Sequence, residues 1–176
     1  MKFTSIPVFL MLLLLGGCAS LREGADIPSL KTVSSVDLQR YMGRWYEISR
    51  YPNRFQQSCE SDVWADYSML PSGELKVVNS CSEGIGRKRK VSTGKGWVTD
   101  STSNAKLKVS FMWPFSGDYW IIDLGPSYEY AVVGTPSRNY LWVLSREKSL
   151  DARKYLEILQ RIREQGYDPN MLVETK

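Results

Sequence analysis

A chain of 176 residues carrying 23 Lys+Arg against 19 Asp+Glu, a formal net charge of +4, has the size of one domain. That basic bias is too weak to argue for nucleic acid as a partner. The chain holds no histidine, which excludes Ser-His-Asp and Cys-His catalysis, histidine-based metal sites and a histidine general base at neutral pH. Asp and Glu are scattered without a spacing that selects a catalytic pair, so neither a metal site, a cofactor nor enzymatic turnover is expected.

The first element in chain order is a leader. Lys2 supplies a positive start, Ile6 to Leu15 form an apolar run, and Leu15-Gly16-Gly17-Cys18 closes it. The run is too short to span a bilayer, which takes roughly 20 apolar residues, but it has the length of a secretory core ahead of small residues. A cysteine directly after such a site resembles the lipobox of bacterial lipoproteins. That resemblance implies a signal peptide over residues 1–17, cleavage before Cys18, a diacylglyceryl thioether on its sulfur and an acylated new N-terminus. Two or more acyl chains make a stable anchor where one does not. Ala19 lacks the aspartate associated with inner-membrane retention, which favours the outer membrane of a Gram-negative cell. Residues 18–35 then read as lipidated N-terminus and tether, with Gly24 and Pro28 in a small, polar stretch.

Beyond the tether, Asp37 to Tyr41 suit a short helical turn. The chain then changes period: Val63-Ala65-Tyr67, Leu75-Val77-Asn79, Leu107-Val109-Phe111, Tyr119-Ile121 and Trp142-Leu144 recur at every second position with polar neighbours. Such alternation marks strands with one face buried. Pro71-Ser72-Gly73, Asp100 to Asn104, Gly125-Pro126-Ser127 and Pro136 to Asn139 supply the turns between them. About eight strands fit between Trp45 and Arg146. The last segment switches to helical spacing: Ser149 as cap, Asp151 in the first turn, Leu156, Leu159 and Ile162 on one face with Tyr155 beside them, and Gly166 as terminator. Eight short-looped strands hide their edges by closing into a barrel with room for one small ligand. A two-sheet sandwich is the other arrangement this pattern admits. Export leaves Cys59 and Cys81 together in an oxidising compartment, which favours a disulfide over two thiols. The run Arg87-Lys88-Arg89-Lys90 is the dense basic cluster, read either as a solvated loop or as a contact for anionic lipid headgroups.

Gly43-Arg44-Trp45-Tyr46-Glu47 resembles the G-x-W signature of lipocalins, and Leu144-Ser145-Arg146 matches the arginine that packs over that tryptophan at the closed end of the barrel. The strings Trp45 to Ile48, Leu107 to Phe111 and Tyr140 to Arg146 are similar to bacterial lipocalins related to apolipoprotein D. The resemblance covers about Val36 to Val173. It implies an all-β protein, an eight-stranded antiparallel up-and-down barrel with one C-terminal α-helix packed outside, in a domain spanning 36–176. Gly43, Trp45 and Arg146 take the role of its structural signature. The family's middle T-D-Y motif is not intact between Leu124 and Tyr128, where only Tyr128 remains.

With Trp45 and Arg146 turned inward, period two places Glu47 and Ser49 inside on the first strand and Trp142 and Leu144 inside on the last. Glu47, Ala65, Tyr67, Val77, Asn79, Val109, Phe111, Tyr119 and Trp142 are therefore the expected ligand-binding positions. Family alignment puts Gly94 and Gly96 inside as well, which either opens a cavity or marks a barrel corner. Cys59 shares a face with Val63, and Cys81 with Val77, so a bridge near the open mouth needs little more than a bulge. Trp113-Pro114-Phe115 falls in a connection at the open end, as a lipid contact or a loop anchor. An apolar interior with a few polar groups suits a fatty acid or lysophospholipid, bound without a cofactor and stored or carried at the membrane. Two other readings remain: an isomerase or epoxide-processing enzyme using Glu47, and a surface-interaction scaffold whose barrel is filled.

Overall fold

The computed structural model describes residues 28–84 and 88–176; the expectations for the leader, for Cys18 and for Arg87 lie outside the described residues. Asp37 opens the first helical turn, α1 (Leu38–Tyr41), by accepting the N–H groups of Gln39 and Arg40 on its carboxylate. The alternating segments then form β1 (Gly43–Arg50), β2 (Cys59–Met69), β3 (Leu75–Glu83), β4 (Lys88–Val98), β5 (Lys106–Met112), β6 (Phe115–Leu124), β7 (Tyr130–Gly134) and β8 (Leu141–Ser145). Each strand pairs antiparallel with the next, and β1 pairs with both β8 and β2, so the sheet closes into an up-and-down barrel. The sandwich is thereby excluded.

Odd-numbered strands run away from α1 and even ones return. The β1–β2, β3–β4, β5–β6 and β7–β8 connections therefore gather at one end, the mouth, and α1 lies under the other. Pleating sorts the side chains into two cores. Trp45, Tyr67, Leu75, Val77, Leu107, Ile121, Val133 and Leu144 meet inside the barrel. Val132, Leu141 and Val143 face out to meet Ile158 and Ile162 of α2 (Ala152–Glu164).

Four details differ from the sequence reading. The helix is capped by Asp151, which accepts the Lys154 N–H, rather than by Ser149. Its buried positions are Ile158 and Ile162, with Tyr155 and Leu159 flanking, while Leu156 points to water at 66% exposure. Gly166 ends the helix as expected, at φ +83°. Ser49 does not face inward. The β1–β8 register slips between Glu47 and Ser49, and this bulge inserts one residue, so Ser49 turns outward to accept a hydrogen bond from the Tyr155 hydroxyl at 2.8 Å. Arg50 takes the inward place instead, opposite Trp142.

The fourth difference is a ninth strand, β9 (Val173–Glu174), which pairs with Ser49 and Arg50. The β1–β2 ladder ends at Tyr46↔Trp64. Above it the C-terminal segment fills the seam: Thr175 N–H donates to Ile48 O, and Asp62 N–H donates to Lys176 O. The Cys59–Cys81 disulfide closes the β2–β3 hairpin at the same level, with Cα atoms 5.5 Å apart. Register shifts between Cys59 and Trp64, with Asp62 at φ +51°, supply the bulge that this bridge needed.

Candidate functional site

The closed end is built first. Trp45 is fully buried, and the Arg146 guanidinium stacks on its ring at 3.8 Å. Arg146 Nη1 donates to Arg44 O and Nη2 to Arg40 O, so one side chain ties β8 to β1 and α1. Burial pushes the Arg146 pKa below its ordinary value. Gly43 stands at φ +90° beneath this cation, a left-handed conformation that glycine adopts without strain. Tyr128, the remnant of the middle motif, accepts the Asp37 N–H on its hydroxyl and lies under the Arg40 guanidinium at 4.0 Å. Gly43, Trp45 and Arg146 thus form a sealed base.

Above this base lie three tyrosines. The Tyr119 hydroxyl is 2.8 Å from that of Tyr41 and 2.9 Å from that of Tyr67. Burial pushes the Tyr67 pKa up to about 12 and those of Tyr41 and Tyr119 well above the ordinary phenol value. The three hydroxyls satisfy one another, so the floor presents ring edges to whatever lies above it. Tyr67 and Tyr119 were expected in the site; Tyr41, from the helical turn, completes the trio.

The upper wall is different. Ala65, Val109 and Trp142 are half-buried and Asn79 is exposed, although their pairing places each on the inner face. These inward positions keep solvent exposure, whereas Val77, Leu107, Ile121 and Val133 lower down are sealed. Val77 therefore belongs to the packed floor rather than to the open wall. Phe111 sits at the rim, 46% exposed, with its ring over Gly94, where an added Cβ would lie 2.8 Å from it. The two inner glycines make room for Phe111 and Val109, not for empty space.

One side of the wall is charged. Glu47, only 4% exposed, accepts hydrogen bonds from Arg50 Nη1 at 2.7 Å, Gln56 Nε2 at 2.6 Å and the Thr175 hydroxyl at 2.6 Å. Gln56 in turn accepts the Trp142 indole N–H at 2.9 Å, which folds the β1–β2 connection over the mouth. Trp142 stacks on Tyr140, and Tyr140 meets Phe55 at the rim, giving an aromatic path from solvent into the lumen. Of this network the sequence reading held Glu47 and Trp142. Arg50, Gln56 and Thr175 were missed: the bulge hides the first, and no local pattern marks the others. Among the described residues no group of His, Cys, Asp and Glu is placed to hold a metal ion.

Comparison with known proteins places this geometry. The Lipocalin-like domain model matches residues 36–176. Temperature-induced lipocalin-1 of Arabidopsis thaliana is 38% identical over 155 residues, covering 83% of this chain and 82% of that one. Outer membrane lipoprotein Blc of Vibrio cholerae is 33% identical over 169 residues, covering 94% and 95%. Among solved structures, insecticyanin of the tobacco hornworm superposes with a TM-score of 0.69 at 18% identity, over 85% of each chain, a likeness of fold alone.

Proposed function

Because the chain belongs to the lipocalin family, in the bacterial branch related to apolipoprotein D, we propose that it binds a fatty acid or lysophospholipid in the barrel lumen. It stores or carries that lipid at the outer membrane, to which the acylated Cys18 holds it. The observation that carries this reading is the pair of environments along the barrel axis. A sealed aromatic floor lies beneath an upper wall whose inward side chains solvent reaches. A lipid bound tail-down lays its chain along Val109, Ala65 and Trp142 and leaves its head beside Arg50, Gln56 and Asn79. Each buried methylene contributes ~0.8 kcal/mol, so ten give ~8 kcal/mol before the costs of association, enough for micromolar binding without an ionic contact. The outer-membrane part of the proposal is supported by the Vibrio relative, named an outer membrane lipoprotein, with which this chain aligns over nearly the full length of both. No helix among the described residues is long and apolar enough to cross a membrane.

Binding without turnover is part of the proposal. Both Glu47 oxygens are engaged by wall residues, which fits an anchor of the mouth better than an acid or base aimed at substrate. Native mass spectrometry of the protein purified from its own envelope, with lipid extraction, tests the carrier reading. A co-purifying fatty acid or lysophospholipid near one per chain supports it and names the cargo. A protein that is empty and takes up neither lipid on titration overturns it.

A further inference from the structure

We propose that the barrel mouth docks, rim down, on an anionic lipid bilayer, so that cargo passes between membrane and lumen without crossing open water. The anchored orientation rests on the lipidation of Cys18; the docking surface stands on its own residues. Among the described residues, exposed large apolar side chains gather at the rim. Met112, Trp113 and Phe115 at the β5–β6 turn are 68%, 81% and 69% exposed, and Phe55 of the β1–β2 connection is 58% exposed. Scattered single apolar residues are ordinary on a surface, but a grouped aromatic rim marks a docking site. Trp is also a residue that settles at membrane–water interfaces.

Charge and chain length select a bilayer as the occupant. The β4 residues 88–94 pair with β3 but have no β5 partner, so Lys88, Arg89 and Lys90 stand at the mouth on a hairpin that overtops the β5–β6 turn. Lys90 pairs with Glu83 at 3.0 Å, and Arg89 donates to Asp62 O and the Ser80 hydroxyl. The excess positive charge of this strand end, at the same end of the barrel as the exposed aromatics, matches an anionic headgroup layer with an apolar interior. The described chain begins at the same end: Pro28 O accepts a hydrogen bond from Arg138 of the β7–β8 connection. From there residues run down the barrel flank to Val36, which bonds Ser103 at the closed end. Cys18 and Pro28 are ten positions apart, and the link between them reaches at most about 36 Å fully extended. A lipid on Cys18 therefore tethers the chain from the mouth end of the barrel, within that reach of the membrane.

The test uses the chain from residue 18 with Cys18→Ser, whose described strands and cores all lie within 28–176. Its sedimentation with vesicles of phosphatidylcholine and phosphatidylglycerol in equal parts is compared with pure phosphatidylcholine. Binding to the anionic vesicles is expected, falling about ten-fold or more in Trp113→Ser/Phe115→Ser. Lys88→Gln/Lys90→Gln is expected to lose about 5-fold per charge. Leu156→Ser, on the exposed flank of α2, leaves binding unchanged. Absence of anionic-vesicle binding, or an equal loss in the Leu156 variant, overturns the proposal. Lipid uptake by the same samples separates the two readings. Uptake without vesicle binding sinks docking alone, and vesicle binding without uptake sinks the carrier function while docking stands.

Discussion

Replacing Arg50 by Met strips the buried Glu47 of its cation and is expected to cost about 3–5 kcal/mol of folding stability. The carboxylate is 4% exposed, the guanidinium 12%, and they lie 2.7 Å apart. At an effective dielectric near 20 a pair at that distance attracts by about 6 kcal/mol, against a desolvation penalty of several kcal/mol per ion. The net value of the pair is therefore small, while an orphaned Glu47 retains the penalty without the attraction. Gln56 and Thr175 still donate to it, which keeps the loss in the lower part of that range. The double variant Glu47→Leu/Arg50→Met removes both charges and is expected to cost less than Arg50→Met alone. Urea unfolding of the single and double variants at pH 7 measures the coupling. A single-variant loss below about 1 kcal/mol, or strict additivity in the cycle, refutes the claim that this pair is desolvated in the barrel wall.

Three further perturbations probe other parts of the barrel. Loss of the Cys59–Cys81 bridge, with its separation of 22 residues, is expected to lower stability by ~3 kcal/mol through the entropy of the unfolded chain, read as a shift in the urea midpoint of Cys59→Ser/Cys81→Ser. The raised Tyr67 pKa makes stability depend on alkaline pH: below pH 10 both states hold the proton, and between 10 and about 12 only the folded state does. Stability therefore falls as pH rises through that window, by about 2.7 kcal/mol for Tyr67 at full extent. A shallower alkaline slope in Tyr67→Phe checks the sign. Gly94→Ala brings a methyl within 2.6 Å of the Ser110 carbonyl and 2.8 Å of the Phe111 ring, and about 1–3 kcal/mol of destabilisation is expected from the overpacking, measurable as a fall in Tm.

Legibility in the sequence followed the range of the interactions. Strand faces could be read because Val63, Val77, Leu107 and Trp142 repeat a two-residue period that burial imposes. Turns showed because Gly73 and Pro136 carry their own backbone preferences. Trp45 and Arg146 were visible as a motif, and their stack holds at 3.8 Å. What failed to show depended on register. A single inserted residue after Glu47 exchanged the faces of Ser49 and Arg50, and nothing in Ile48-Ser49-Arg50 announces it. The helix stripe was misjudged by one position set, since Leu156 and Ile158 are both apolar and only docking decides which is buried. Thr175 reaches Glu47 through β9, a two-residue pairing between distant parts of the chain. The open wall was expected at Asn79, Ala65 and Trp142, and these three keep solvent exposure on the inner face because the period-two pattern holds through their strands.

The most direct test of the central claim is fluorescence titration with a spin-labelled fatty acid, comparing the protein with Trp142→Phe. Six tryptophans contribute to the signal, so the difference between the two proteins isolates the one in the lumen wall. A lipid bound in the barrel gives saturable quenching near one per chain, with the quenched component lost in Trp142→Phe. Quenching that never saturates, or that persists undiminished in Trp142→Phe, contradicts a lipid-binding lumen and moves the ligand to the outer surface.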